Sequence, residues 1–240
     1  MSAGLPAHLT APAKLTLQLR VVGIRSDGYH LIEAEMVSLD LSDVIELGEG
    51  AGTRYVGPHA PVGGAIDDDL VGRALAMVGR TASATVTKNI PSGAGLGGGS
   101  SDAAAVLRWA GSADLDAAAR LGADVPFCVV GGRALVRGIG EQVEPLDHED
   151  RTFTLLTPAV HCSTPAVYRR WDDLGGPTGE NANDLMVAAL SVAPELELAR
   201  RELGEATGVE PRLAGSGSTW FVEGSFPGPG RVVTRTVDRD

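Results

Sequence analysis

Lysine is almost missing from this chain of 240 residues: eighteen of its 20 basic residues are arginines, and only Lys14 and Lys88 are lysines. Each of the two marks a candidate site for a compact point charge instead of a planar fork. Cysteine is as scarce. Cys128 and Cys162 lie far apart, with no second thiol or histidine at ligand spacing, so they read as small buried hydrophobes and not as a zinc site or disulfide framework. The histidines at 8, 30, 59, 148 and 161 form no HxxxH pair, and no protein-held transition metal is expected. No stretch reaches the roughly eighteen consecutive apolar residues of a membrane helix. The first residues, with Pro6 and Pro12 and no basic flank, do not read as a secretory signal, so a cytoplasmic protein without a membrane partner is expected. Clustered basic residues are lacking too, and a formal net charge of −11 argues against nucleic acid as a partner.

What is present is an ordinary globular composition, 43% hydrophobic and 21% charged, enough to bury one core or two closely packed lobes. Alternating apolar residues over Leu9–Val22 and Tyr29–Leu39 predict a hairpin around the turn Arg25–Gly28, with a further strand at Val44–Leu47. The glycine- and proline-rich stretch 48–64 reads as a loop before a helix from about Asp68 to Arg80, its N-terminal end marked by Asp67–Asp69. Beyond it come a strand at 84–90 and helices at 101–109 and 114–121. Strands are then expected at Val125–Val130, Arg133–Arg137 and Phe153–Leu156. The last third reads as helix, helix, strand, strand. Asp184 opens the first of these helices, Glu195–Leu203 forms the second, and short strands lie near Arg212 and over Thr219–Glu223. The fold class is α+β, in two lobes dividing near residue 147: 1–147 with the hairpin and glycine-rich segment, and 148–240.

The chemistry concentrates in Pro91-Ser-Gly-Ala-Gly-Leu-Gly-Gly-Gly-Ser-Ser-Asp-Ala-Ala-Ala105, with five glycines within seven residues at the mouth of a helix. Glycines let consecutive N–H groups converge on phosphate oxygens, and the helix N-terminus adds partial positive charge. A flexible loop capped by Ser100 or Ser101 is the plainer alternative, against which the clustered glycines weigh. There is no GK[ST], which excludes a Walker loop. Gly93, Gly95 and Gly98 fit GxGxxG. The strand before them alternates with polar residues, however, where a central strand of a dinucleotide fold should be continuously apolar. Protein-kinase signatures are missing downstream.

The segment resembles the second motif of the GHMP kinases, the family of galactokinase, homoserine kinase and mevalonate kinase. Further motifs agree in order: Pro12-Ala13-Lys14, Asp27-Gly28-Tyr29-His30, Lys88 in KNIP, Gly122–Phe127, Ser163-Thr164-Pro165 and Gly215–Ser218. Within that family the form GAGLGGGSSDAA is similar to members acting on a cytidine diphosphate-linked methylerythritol. The resemblance implies a two-lobed kinase that transfers a phosphoryl group from ATP, with Mg²⁺, to the 2-hydroxyl of 4-diphosphocytidyl-2-C-methyl-D-erythritol in the non-mevalonate isoprenoid precursor pathway. Another GHMP kinase, or a catalytically silent nucleotide-binding homologue, is the alternative. Monomer and homodimer stay open.

Residue by residue, the resemblance implies that Asp124 accepts or orients the acceptor's hydroxyl proton and that Lys14 beside it holds the carboxylate ionised. Lys88, Pro91, Gly93, Ala94, Gly95, Leu96, Gly97, Gly98 and Gly99 would hold ATP. Ser100 and Ser101 would contact phosphate and Mg²⁺. Tyr29, His30 and Tyr168 would surround the cytosine, and Gly215 and Ser216 would close over the reacting groups. Two positions depart from the pattern: Thr16 and Asp69 stand where the family commonly has asparagine.

Overall fold

The computed structural model describes residues 4–61, 69–179 and 182–239. Two long strands, β1 (Ala7–Ile24) and β2 (His30–Gly48), form an antiparallel hairpin around which the rest is arranged. The strands expected separately at 29–39 and 44–47 are one continuous element. On the edge of β2 away from β1, two strands lie end to end: β4 (Ser83–Thr87) pairs with Val44–Gly48, and β5 (Arg133–Gly138) pairs with Ile32–Val37. Outside these lie β3 (Gly52–Val56), parallel to β4, and β6 (Gln142–Leu146), antiparallel to β5. A second, four-stranded sheet holds β7 (Thr152–Leu156), β8 (Arg212–Leu213), β9 (Trp220–Glu223) and β10 (Arg231–Arg235), in the order β10-β7-β9-β8. The helices are α1 (Leu70–Met77), α2 (Gly98–Trp109), α3 (Leu115–Leu121), α4 (Val125–Val130), α5 (Thr164–Asp173), α6 (Met186–Val192) and α7 (Leu196–Thr207).

Several elements differ from the sequence reading, each for a physical reason. Val125–Val130 is helix, not strand. Pro126 sits in its first turn, where its missing N–H costs nothing, and a short apolar run does not distinguish a buried strand from a buried helix. The stretch 48–64 is not all loop, because β3 augments the sheet beside β4. Pro145 disguises β6, which tolerates proline as an edge strand. The second sheet also gains β10, a five-residue strand with little alternation that follows the turn Pro227–Gly230. Asp67 and Asp68 lie outside the described residues, and Asp69 is the N-cap of α1. The helix expected from Asp184 is α6, which begins at Met186, and Asp184 does not cap it. Its buried carboxylate instead accepts from Arg20, from the amide of Val21 and from that of Gly179.

Two hydrophobic cores result, and β1 feeds both. Ala11 and Leu19 belong to the larger core with α2, α4, α6 and α7. Ala13, Leu15 and Leu17 between them pack with Leu39, Phe153, Leu155 and Phe221 of the smaller one. The register shifts between Pro12 and Lys14, a bulge that turns the Lys14 amide out of the ladder to donate to the Leu96 carbonyl at 3.0 Å. The strand carrying the motif lysine is thereby fastened to the glycine-rich loop.

Candidate active site

The loop from Pro91 and the first turn of α2 line a cavity of about 470 Å³. Gly95 has φ +78, and a Cβ there would lie 2.6 Å from the Ala214 carbonyl oxygen and 2.7 Å from that of Gly217. Gly97 has φ +68, and a Cβ there would meet Lys14 Cγ at 2.7 Å. Both positions thus require glycine twice over, for backbone conformation and for space. Gly97 is also the N-cap of α2, and no side chain caps this helix, whereas Asp69 and Asp114 cap α1 and α3. The first-turn amides of α2 are therefore left for an anion in the cavity, which is the fit a nucleotide triphosphate needs. Replacing Gly95 by alanine should displace the loop from the 214–217 turn. Nucleotide affinity, followed by titration with a fluorescent ATP analogue, is expected to fall at least roughly tenfold while circular dichroism stays native.

A second cavity, of about 810 Å³, adjoins the first. Lys14, only 5% exposed, enters it from β1, with its ammonium 3.2 Å from Asp124 Oδ2 and 3.2 Å from Thr16 Oγ1. Asp124 is the N-cap residue of α4 yet makes no capping bond, so its carboxylate, a third exposed, is free to face Lys14. At the other end His30 lies against Tyr168, ring centroids 4.7 Å apart, and edge-on to Trp171 at 5.6 Å. The His30 Nε2 is 2.8 Å from Asp172 Oδ1, which fixes the ring. Burial pushes the Tyr168 hydroxyl well above its ordinary range, so it stays protonated. Tyr29, 59% exposed under the Arg25 guanidinium, borders the same cavity. Gly215 and Ser216 line it too, and Ser216 Oγ is 2.7 Å from Thr164 Oγ1. Asp124, Ser100 and Gly95 border both cavities, as do Thr164 and Pro165.

Not every expected residue faces these spaces. The Ser101 hydroxyl is fully buried and donates to the Pro12 carbonyl at 2.6 Å, so of the two adjacent serines only Ser100 borders the cavities. The Leu96 side chain belongs to the smaller core, and only its neighbours border the cavity. Tyr168 reaches the larger cavity from α5. Lys88 reaches the floor of the first cavity, but its buried ammonium is held by Asp43 and, at 2.6 Å, by Asp102. Asp43 also accepts from the amides of Asn89 and Ile90. Asp102 Oδ1 has no partner among the described residues. Burial pushes the Asp102 carboxyl up to about 7, with Lys88 opposing and Asp43 reinforcing the rise.

Of the two departures, Thr16 keeps a polar contact to Lys14, and Asp69 is spent on structure. Burial raises the Asp69 carboxyl, but hydrogen bonds from Thr53, the Gly72 amide and Tyr55 outweigh it and leave it below its ordinary value. Asp69 does not border the nucleotide-sized cavity, while its neighbour Leu70 and its partner Tyr55 do. Asn183 escaped the sequence reading altogether. Its amide donates to the Leu213 and Gly215 carbonyls at 2.9 and 2.8 Å, holding the 215–218 turn in place, and no local pattern announces it.

A protein of Paracoccus denitrificans named 4-diphosphocytidyl-2-C-methyl-D-erythritol kinase is 39% identical over 243 aligned positions, covering 90% of this chain and 87% of that protein. This chain belongs to that kinase family. A protein of the same name from Xanthomonas axonopodis pv. citri is 40% identical, covering 89% of the chain and 80% of its own length. The family model for the GHMP kinases N terminal domain matches residues 69–132, from the cap of α1 through the glycine loop to the end of α4. A crystal structure of 4-(cytidine 5'-diphospho)-2C-methyl-D-erythritol kinase superposes with a TM-score of 0.74 at 28% identity, over 96% of this chain and all of that one. The α+β fold is thus that of the GHMP kinases, and the chain is a small-molecule kinase that uses ATP. Among the described residues no helix of this kinase is long and apolar enough to cross a membrane, and no cluster of acidic, histidine or cysteine side chains is built to hold a metal.

Proposed function

We propose that this kinase phosphorylates the 2-hydroxyl of 4-diphosphocytidyl-2-C-methyl-D-erythritol, forming the 2-phosphate and ADP as a step toward isoprenoid precursors. The observation that carries the reading is that one carboxylate, Asp124, borders both cavities and is paired with a buried ammonium, Lys14. A hydroxyl in the larger cavity can then be aligned against a phosphoryl group in the smaller one.

ATP supplies the phosphoryl group, Mg²⁺ bound with it would offset the charge of its phosphate oxygens, and Ser100 at the cavity would contact the pair. Asp124 accepts the hydroxyl proton and orients its oxygen. Positioning matters more than basicity here, because phosphoryl transfer passes through a loose transition state. Lys14 pairs with Asp124 and faces the charge that develops as the proton leaves. The uncapped amides of α2 and the glycine loop receive the phosphates. Across the larger cavity, the His30 and Tyr168 rings offer a stacking face and a hydrogen-bonding edge for a base, with Tyr29 at its border. We divide the kinase near residue 147, where β6 gives way to β7, so that both cavities lie in the cleft between an N-terminal and a C-terminal lobe. The reaction belongs in the cytoplasm, where ATP is available.

A coupled ADP-release assay tests the reading by comparing the cytidine substrate with mevalonate and homoserine. Turnover is expected with the first alone, and equal turnover of mevalonate would sink it. Tyr168→Ala and His30→Ala should each raise the KM for the cytidine substrate roughly tenfold, from the loss of one stacked face, while the KM for ATP stays unchanged.

A further inference from the structure

Around the larger cavity the carboxylates have partners and two of the cations do not. Its three carboxylates are all engaged: Asp27 by Arg25, Asp124 by Lys14 and Asp172 by His30. Two guanidiniums border the same space, Arg120 from the last turn of α3 and Arg169 from α5, and neither is in an ion pair with any described residue. In a chain of net charge −11, with 31 acidic residues available, two cations left unpaired at one cavity call for an anion from outside. The smaller cavity differs. No arginine borders it, and its one lysine, Lys88, is committed to Asp43 and Asp102. Its ligand must be met by backbone amides.

We propose that Arg120 and Arg169 grip the diphosphate of the acceptor and so select a nucleoside diphosphate-linked alcohol over a plain one. The inference rests on the cytidine reading above and adds to it the residues that recognise the bridge between base and alcohol. Such a substrate has a base at one end and the reacting hydroxyl at the other. His30 and Tyr168 suit the first and Asp124 the second, so the two phosphates fall between them. Lys14 is already shared between Asp124 and Thr16. A guanidinium presents parallel N–H donors to phosphate oxygens, which a point charge cannot do. Arg120 also stands where a cation favours the C-terminal end of a helix. That role alone would affect the stability of α3 and not the choice of ligand.

The test is calorimetric titration of the full chain with the smaller cavity filled by a non-hydrolysable ATP analogue. The probes are CDP, cytidine and inorganic pyrophosphate, against wild type, Arg120→Gln, Arg169→Gln, the double variant and Arg169→Lys. Wild type should bind CDP more tightly than cytidine. Each glutamine variant should weaken CDP roughly tenfold, the double variant further, with cytidine affinity and thermal unfolding unchanged and partial recovery in Arg169→Lys. CDP affinity untouched in the double variant, or CDP and cytidine affinities falling together, would overturn the proposal. Pyrophosphate binding lost in the variants, with wild type preferring neither CDP nor cytidine to pyrophosphate, would uphold the arginine grip and overturn the cytidine reading.

Discussion

Asp124→Asn is expected to lower kcat by roughly a thousandfold, with ATP affinity and fold intact. Asparagine keeps the shape and a carbonyl oxygen for Lys14 but removes the charge and the capacity to take a proton. The side chain makes no capping bond and is a third exposed, so removing the charge breaks no hydrogen bond of the helix behind it. Steady-state ADP release gives kcat, and titration with an ATP analogue gives nucleotide affinity. If Asp124→Asn retained more than about a tenth of wild-type turnover, the carboxylate would be a bystander and Lys14 would carry the site alone. The companion Lys14→Met should also reduce kcat. Lys14, however, is buried on a strand shared by both cores, so its loss should cost stability as well, and that separates the two residues experimentally.

The second large effect is on folding. Lys88→Met should destabilise the protein by about 3–5 kcal/mol, because it strands two buried carboxylates, Asp43 and Asp102, that have one ammonium between them. Chemical denaturation at neutral pH measures this. The same cluster sets a pH dependence. The Asp102 carboxyl, raised in the folded protein from 3.8 to about 7, binds a proton more tightly there than in the unfolded chain. Its contribution to stability is therefore full at acid pH and is lost as pH rises through about 7. Asp102→Asn, which keeps the shape without the charge, should gain stability over wild type as the pH goes from 5 to 8, as judged by differential unfolding. A constant difference across that range would mean that Asp102 keeps its charge in the fold.

Much of the site could be read from sequence because it is contiguous. The glycines from Gly93 to Gly99 declare a phosphate-binding turn by composition alone, and the helix after them follows from alanine content. The pairing of Lys14 with Asp124 is different, since nothing local links them and only the ordered motifs of the GHMP kinases put both in one site. Asp43 and Asn183 went unread for a related reason. Each acts by reaching the backbone of a remote loop, and a lone polar residue in a strand or turn looks the same whether it is solvated or buried. The errors in the fold have one origin. A short apolar run such as Val125–Val130 has no period long enough to separate helix from strand, and β3, β6 and β10 are short strands, two of which, β3 and β10, take their register from partners far away in sequence.

β1 is the feature with the widest consequence. Since Ala11 and Leu19 pack in one core and Ala13, Leu15 and Leu17 in the other, a break in the chain near residue 147 would divide the polypeptide without yielding two self-sufficient halves. The leading fragment would carry a greasy stripe with nothing to cover it, and the trailing one would lack the floor on which Phe153 and Phe221 rest. Acceptor pocket and nucleotide pocket are accordingly cast from a single piece.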